Sequence, residues 1–120
     1  MKLSAARVNV TDIAAAKCFY GEVLRLKQTW DYGSAVGYDV GGPVLIVETH
    51  PMDDPEHRAL VGRFTALSFD VADAAASYRE LGAKGVEFLE PPEKQPWGGT
   101  LAHFKDPSGN ILTLVEQPKR

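Results

Sequence analysis

Cysteine is almost missing from this chain: Cys18 is the single thiol among 120 residues. That excludes an internal disulfide and makes a reducing compartment, the cytoplasm, the expected location. Cys18 falls inside a helical pattern with no histidine beside it, so a packed small side chain is expected rather than a reactive thiol. Long apolar runs are missing too, which leaves nothing to span a membrane. The start, Met1-Lys2-Leu3-Ser4, enters a strand pattern at once and lacks a signal-peptide layout. Basic charge is in deficit, with 13 Lys and Arg against 16 Asp and Glu. A nucleic-acid backbone demands the opposite balance, so nucleic acid is not expected as a partner.

What is present is a run of short elements. Residues 3–10 alternate as a strand, with Ala5, Arg7 and Asn9 on one face and Ala6, Val8 and Val10 on the other. Asp12 sits where a helix N-cap belongs, ahead of a stripe of Ile13, Ala16, Tyr20, Val23 and Leu24. Strands over 26–32, 35–40 and 44–49 follow, with Gly33-Ser34 and Gly41-Gly42-Pro43 as turns. Residues 50–62 lose the alternation, carry two prolines and several acids, and read as a solvated connector with room for one helical turn.

Then the order begins again. A strand over 64–69 leads to Asp70 as a cap and to a helix over 71–81, with Ala74, Ala75, Tyr78 and Leu81 as its stripe and Gly82 as its end. A strand over 84–89 and a loop over 90–99 come next. Two closing strands flank Asp106-Pro107-Ser108-Gly109, a turn with Pro at its second position and Gly at its last. The wording repeats: Asp12-Ile13-Ala14-Ala15-Ala16 matches Asp73-Ala74-Ala75-Ala76. The expectation is one α+β domain over 1–120, made of two βαβββ modules at 1–49 and 63–120 joined by the connector 50–62. A sheet face that one helix only half covers has to be completed, and two such modules would form a curved mixed sheet around a ligand cavity.

Two βαβββ units, Phe19-Tyr20 followed by Val23-Leu24, and Trp97-Gly98 ahead of Asp106-Pro107-Ser108-Gly109-Asn110 resemble the vicinal oxygen chelate superfamily. It includes glyoxalase I, the extradiol dioxygenases, the fosfomycin-modifying enzymes and the bleomycin-binding resistance proteins. The run Glu93-Lys94-Gln95-Pro96-Trp97-Gly98 looks most like the bleomycin-resistance branch. The resemblance implies a homodimer with a small molecule in the concavity. It also implies four recurring places for metal ligands, which fall here on Ala5, Ile46 (with Glu48 one alternation further), Phe64 and Thr113. Ala, Ile and Phe offer no lone pair, and a Thr hydroxyl is a poor ligand for Zn, Fe or Ni. No metal and no other cofactor is therefore expected. His50 and His57, with Asp53, Asp54 and Glu56, have metal-like composition but match no compact ligand spacing.

The candidate ligand-binding residues are Arg7, Asn9, Trp30, Tyr38, Phe64, Ser68, Trp97, His103 and Thr113. Arg7 leads because a guanidinium cannot be neutralised and is costly to bury without a partner, here Glu48 or Asp39. Trp97 stands on a proline-stiffened loop where an indole can stack on a planar ligand. Of Trp30, Tyr32 and Tyr38 on the early strands, one or two would supply an opposite aromatic wall and the rest would pack. The reading is a metal-independent small-molecule binder that sequesters a drug or aromatic metabolite. The alternative is a glyoxalase- or epimerase-like lyase or isomerase, or a dioxygenase relative, acting on a small oxygenated substrate, with Glu48 or His103 as the base.

Overall fold

The computed structural model describes residues 1–119 and is α+β, with two mixed sheets and their helices. The chain divides into two compact units, one of residues 1–63 with Pro107–Asn110, the other of Phe64–Asp106 with Ile111–Arg120. No helix among the described residues is long and apolar enough to cross a membrane.

The first unit runs β1 (Ala5–Asn9), α1 (Ile13–Lys17), a π-helical turn (Cys18–Val23), β2 (Lys27–Asp31), β3 (Ala35–Asp39), β4 (Val44–Glu48) and a short α2 (Pro55–Ala59). Its sheet has the order β1-β4-β3-β2, with β1 parallel to β4 and the other pairs antiparallel. Asp12 is extended and its carboxylate accepts from the Ala15 N–H at 3.1 Å, which satisfies one of the donors a helix start leaves open. The expected stripe is then interrupted. Widening to a π turn, with the Leu24 N–H on the Phe19 carbonyl at 2.9 Å, turns both Phe19 and Tyr20 into the core. Val23 and Leu24 are only half-buried, and Cys18, expected to pack, is exposed with its thiol donating to Glu22. That carboxylate pushes the Cys18 thiol pKa up, so the thiolate is disfavoured. The core lies on the helix side of the sheet, where Val8, Val10, Val36, Tyr38, Leu45 and Val47 are buried. Each such side chain contributes about 1.5–3 kcal/mol on leaving water.

The second unit runs β5 (Phe64–Asp70), α3 (Ala74–Ala83), β6 (Glu87–Phe88), β7 (Glu93–Lys94), β8 (Thr100–Lys105) and β9 (Ile111–Glu116). Its order is β5-β9-β8-β6, with β7 also on β8 and β5 parallel to β9. The parallel pairing of first and last strand is thus the same in both units. Asp70 does not cap a helix; it ends β5 opposite Val115, and the Val71 N–H still bonds the Val115 carbonyl at 2.8 Å. Asp73 is the cap, accepting from Ala76 at 3.0 Å. Gly82 lies inside α3, and the turn out of it uses Gly85 at φ +92°. The following strand is correspondingly shorter than residues 84–89. Ala102, Phe104, Leu112 and Leu114 form the core, and Phe88 links Tyr78 to Phe104 by ring contacts of 4.8 and 5.6 Å.

Candidate functional site

Alternation along β1 sends Val8 inward and leaves Arg7 and Asn9 on the open face of the first sheet. Register places Asn9 beside Glu48 and Arg7 beside Ile46. From there the Arg7 guanidinium reaches Glu48 with two bonds, Nε to Oε2 at 2.9 Å and Nη2 to Oε1 at 2.7 Å. This is the bidentate fork in which arginine binds carboxylate best. The pair is asymmetric: the Glu48 side chain is 8% exposed and that of Arg7 65%. Hydrogen bonding to Arg7 pulls the Glu48 carboxyl to about 2 against the opposing effect of burial, with His50 helping. The same contact raises the Arg7 pKa.

His50 follows β4 and brings Nε2 to 2.8 Å from Glu48 Oε1. Against an ionised carboxylate that nitrogen must donate, which leaves Nδ1 of the neutral ring as an acceptor. Within the connector, where one helical turn was allowed for, α2 forms. Asp54 caps it by accepting from the Glu56 N–H at 2.9 Å, and Pro55 opens it, where a missing N–H costs nothing. One turn later His57 points inward. It is 3% exposed, and its ring meets that of His50 edge-on at 5.0 Å. Neither His57 nitrogen has a hydrogen-bond partner. A cavity of about 340 Å³ opens beside these groups, with Arg7, Glu48, His50, His57, Leu60 and Arg63 in its wall and Asn9 among its polar lining.

Arg7 and Asn9 therefore come together as their shared face required. Trp30 lies on the same face but away from the cavity wall. Its indole covers Gly37, where a Cβ would collide with the ring, and it contacts Tyr32 at 5.1 Å. Tyr38 is not a ligand wall. It sits one residue out of phase with Gly37, so it faces the helix, is 1% exposed and packs on Tyr20 at 6.2 Å. In the second unit, Phe64, His103 and Thr113 gather on one open sheet face. His103 Nδ1 lies 2.8 Å from the Thr113 hydroxyl, and the Phe64 ring stands edge-on to His103 at 5.8 Å. Ser68 is exposed and paired with Thr113 in register. Trp97 is half-exposed and folds over Gly99 in its own loop. His50, His57, Leu60 and Arg63 were not among the expected ligand residues. The missed signal was Asp54-Pro55-Glu56: a cap, a first-turn proline and a first-turn acid announce a helix and thus a buried side.

The metal places implied by the resemblance do not fit a metal. Ala5, Ile46 and Phe64 have no donor atom, and the Thr113 hydroxyl is engaged with His103. Among the described residues no group of three His, Cys, Asp or Glu is arranged to hold an ion.

A Bacillus subtilis relative, Uncharacterized protein YetH, is 37% identical over 51 residues, 42% of each chain. A Bleomycin resistance protein from Klebsiella pneumoniae is 29% identical over 83 residues, 63% of this chain and 62% of that protein. These matches thus span less than two thirds of either relative's length. A crystal structure of a member of the glyoxalase/bleomycin resistance protein/dioxygenase superfamily from Sphaerobacter thermophilus superposes with a TM-score of 0.83 at 27% identity, covering 98% of both chains. The family description that matches residues 2–114 is the same one, and this chain belongs to the Glyoxalase/Bleomycin resistance protein/Dioxygenase superfamily.

Proposed function

We propose that this protein is a metal-independent small-molecule binder whose ligand site is the cavity of the first unit, and that it sequesters its ligand in the manner of the bleomycin-resistance branch. The observation that carries the reading is the fixed frame around that cavity. Arg7, Glu48 and His50 hold one another in place, while His57 lines the same cavity with neither ring nitrogen hydrogen-bonded. A rigid wall with a few uncommitted polar atoms suits binding, because the cost of ordering those side chains has already been met in folding. The wall sets Glu48, Asp54 and Glu56 against Arg7 and Arg63, with Glu48 already paired to Arg7, which is not the strongly acidic groove a bleomycin-like cation would want.

The alternative, a glyoxalase- or epimerase-like lyase, needs a base. Glu48 is held at about 2 and doubly bonded by Arg7, so it takes up a proton poorly near neutrality. His103 has its Nδ1 engaged with Thr113 and lies outside the cavity wall. Native mass spectrometry of the purified protein tests the reading, and a retained small molecule without stoichiometric metal is the expected result. Tight uptake of Ni, Zn, Co or Mn together with hemithioacetal turnover would replace it with the lyase. The same spectrum reads the mass of the assembly, for which a homodimer is proposed.

A further inference from the structure

Among the described residues, the buried side-chain polar atoms without a partner are the Tyr38 hydroxyl and both nitrogens of His57, and of these His57 lines a cavity. An imidazole that is 3% exposed with two unpartnered nitrogens has given up its hydration without replacing it. Such a group calls for an occupant that the protein alone does not supply. The cavity it lines shows which kind. On the acceptor side, both Glu48 oxygens are engaged, Oε2 by Arg7 Nε and Oε1 by Arg7 Nη2 and His50 Nε2, which leaves one ring nitrogen each of His50 and His57. The other carboxylates in the wall, Asp54 and Glu56, are exposed to water, and Asp54 already serves as the cap of α2. On the donor side, Arg63 has no ion-pair partner among the described residues, Arg7 keeps Nη1 uncommitted, and His57 carries an unused N–H. An arriving cation would find its carboxylates spent or screened; an arriving oxyanion would find donors waiting.

We propose that this cavity binds a small organic molecule through an oxyanion, either carboxylate or phosphate, with His57 donating at the buried end and Arg63 at the exposed rim. Leu60, 40% exposed in the same wall, supplies apolar contact for the ligand's body. The assignment rests on the reading of the protein as a binder and specifies the class of molecule it takes. It also gives the bidentate Arg7–Glu48 pair a purpose: neutralising the carboxylate that would otherwise repel the incoming anion.

Isothermal titration of the full chain with four probes tests this: benzoate, phenyl phosphate, the neutral isostere benzamide, and benzylamine. Benzoate or phenyl phosphate is expected to bind about tenfold or more tighter than benzamide, with benzylamine weakest, since charge-assisted bonds are roughly twice as strong as neutral ones. Whichever oxyanion binds tighter names the source. His57→Gln and Arg63→Gln should each weaken the better probe by about tenfold. Arg63 is exposed, so Arg63→Gln keeps the test decisive should His57→Gln fail to fold. Equal binding of benzoate and benzamide, or wild-type affinity in the Arg63→Gln protein, overturns the proposal. If the oxyanions fail while mass spectrometry finds a neutral or cationic molecule retained, the binder reading survives and this class assignment falls. If nothing binds in either experiment, both fall and water satisfies His57.

Discussion

Glycine at 37 is what allows tryptophan at 30. The two are cross-strand partners, and the indole lies where any β-carbon at 37 would be. Gly37→Ala should evict the ring from the sheet, costing about 1–3 kcal/mol by overpacking and shifting Trp30 fluorescence to the red; an unchanged spectrum and denaturation midpoint would show that the ring yields freely. Glu48 carries the second residue-scale prediction. Its folded pKa, about 2, lies below its ordinary 4.5, so its contribution to stability is complete above about pH 4.5 and is lost as pH falls towards 2. Denaturant midpoints should decline over that window in the wild type. In Glu48→Gln that part of the decline should disappear, with stability at pH 7 lowered because Arg7 and His50 lose their carboxylate partner. The face shared by Arg7 and Asn9 was legible from the period of two. The same period, read along β3, would have put Tyr38 in the core, because its neighbours Gly37 and Asp39 take the other side.

Among the elements, the strands of the closing hairpin, Thr100–Lys105 and Ile111–Glu116, stand where composition and turn chemistry put them. The helix of the second unit does not start where expected. Asp70 and Asp73 are both followed by small, helix-compatible residues, and local preference alone does not choose between them. The ladder does, since β9 keeps pairing with the chain as far as Val71. Asp73→Ala is accordingly expected to cost about 1 kcal/mol in thermal or chemical denaturation, and Asp70→Ala clearly less; equal effects would remove the cap assignment. Two further features had no local signal. The π turn at Cys18–Val23 is favoured by burying both Phe19 and Tyr20, a gain that exists only once the sheet is beneath them. The irregular register of β5 passes through Ala66 at φ +62°, a conformation alanine does not seek, with the Thr65 hydroxyl bonding the Ile111 carbonyl at 2.8 Å.

At the scale of the whole molecule, Asn110 joins distant parts of the chain. It is 1% exposed; its side-chain oxygen accepts from the Gly62 N–H and its amide donates to the Asn9 carbonyl, both at 2.8 Å. Those bonds lie 48 and 101 residues away along the chain. Asn110→Ala should remove the side-chain partner of the Gly62 N–H and of the Asn9 carbonyl and lower stability by about 1–2 kcal/mol, read as a fall in the cooperative unfolding midpoint; an unchanged midpoint would mean that water replaces the amide. The sequence by itself determined that a strand, a helix and further strands occur twice in that order, the side of β1 on which Arg7 stands and the lack of an imidazole, thiol or carboxylate at Ala5, Ile46, Phe64 and Thr113, because periodicity, caps and side-chain chemistry act within a few residues; the short β7, inside the expected loop 90–99, had no such signal. Only tertiary structure decided that Glu48, His50 and His57 share a cavity with Arg7. Their meeting depends on strand register and on how α2 is turned inward, and both are set by burial against residues far along the chain.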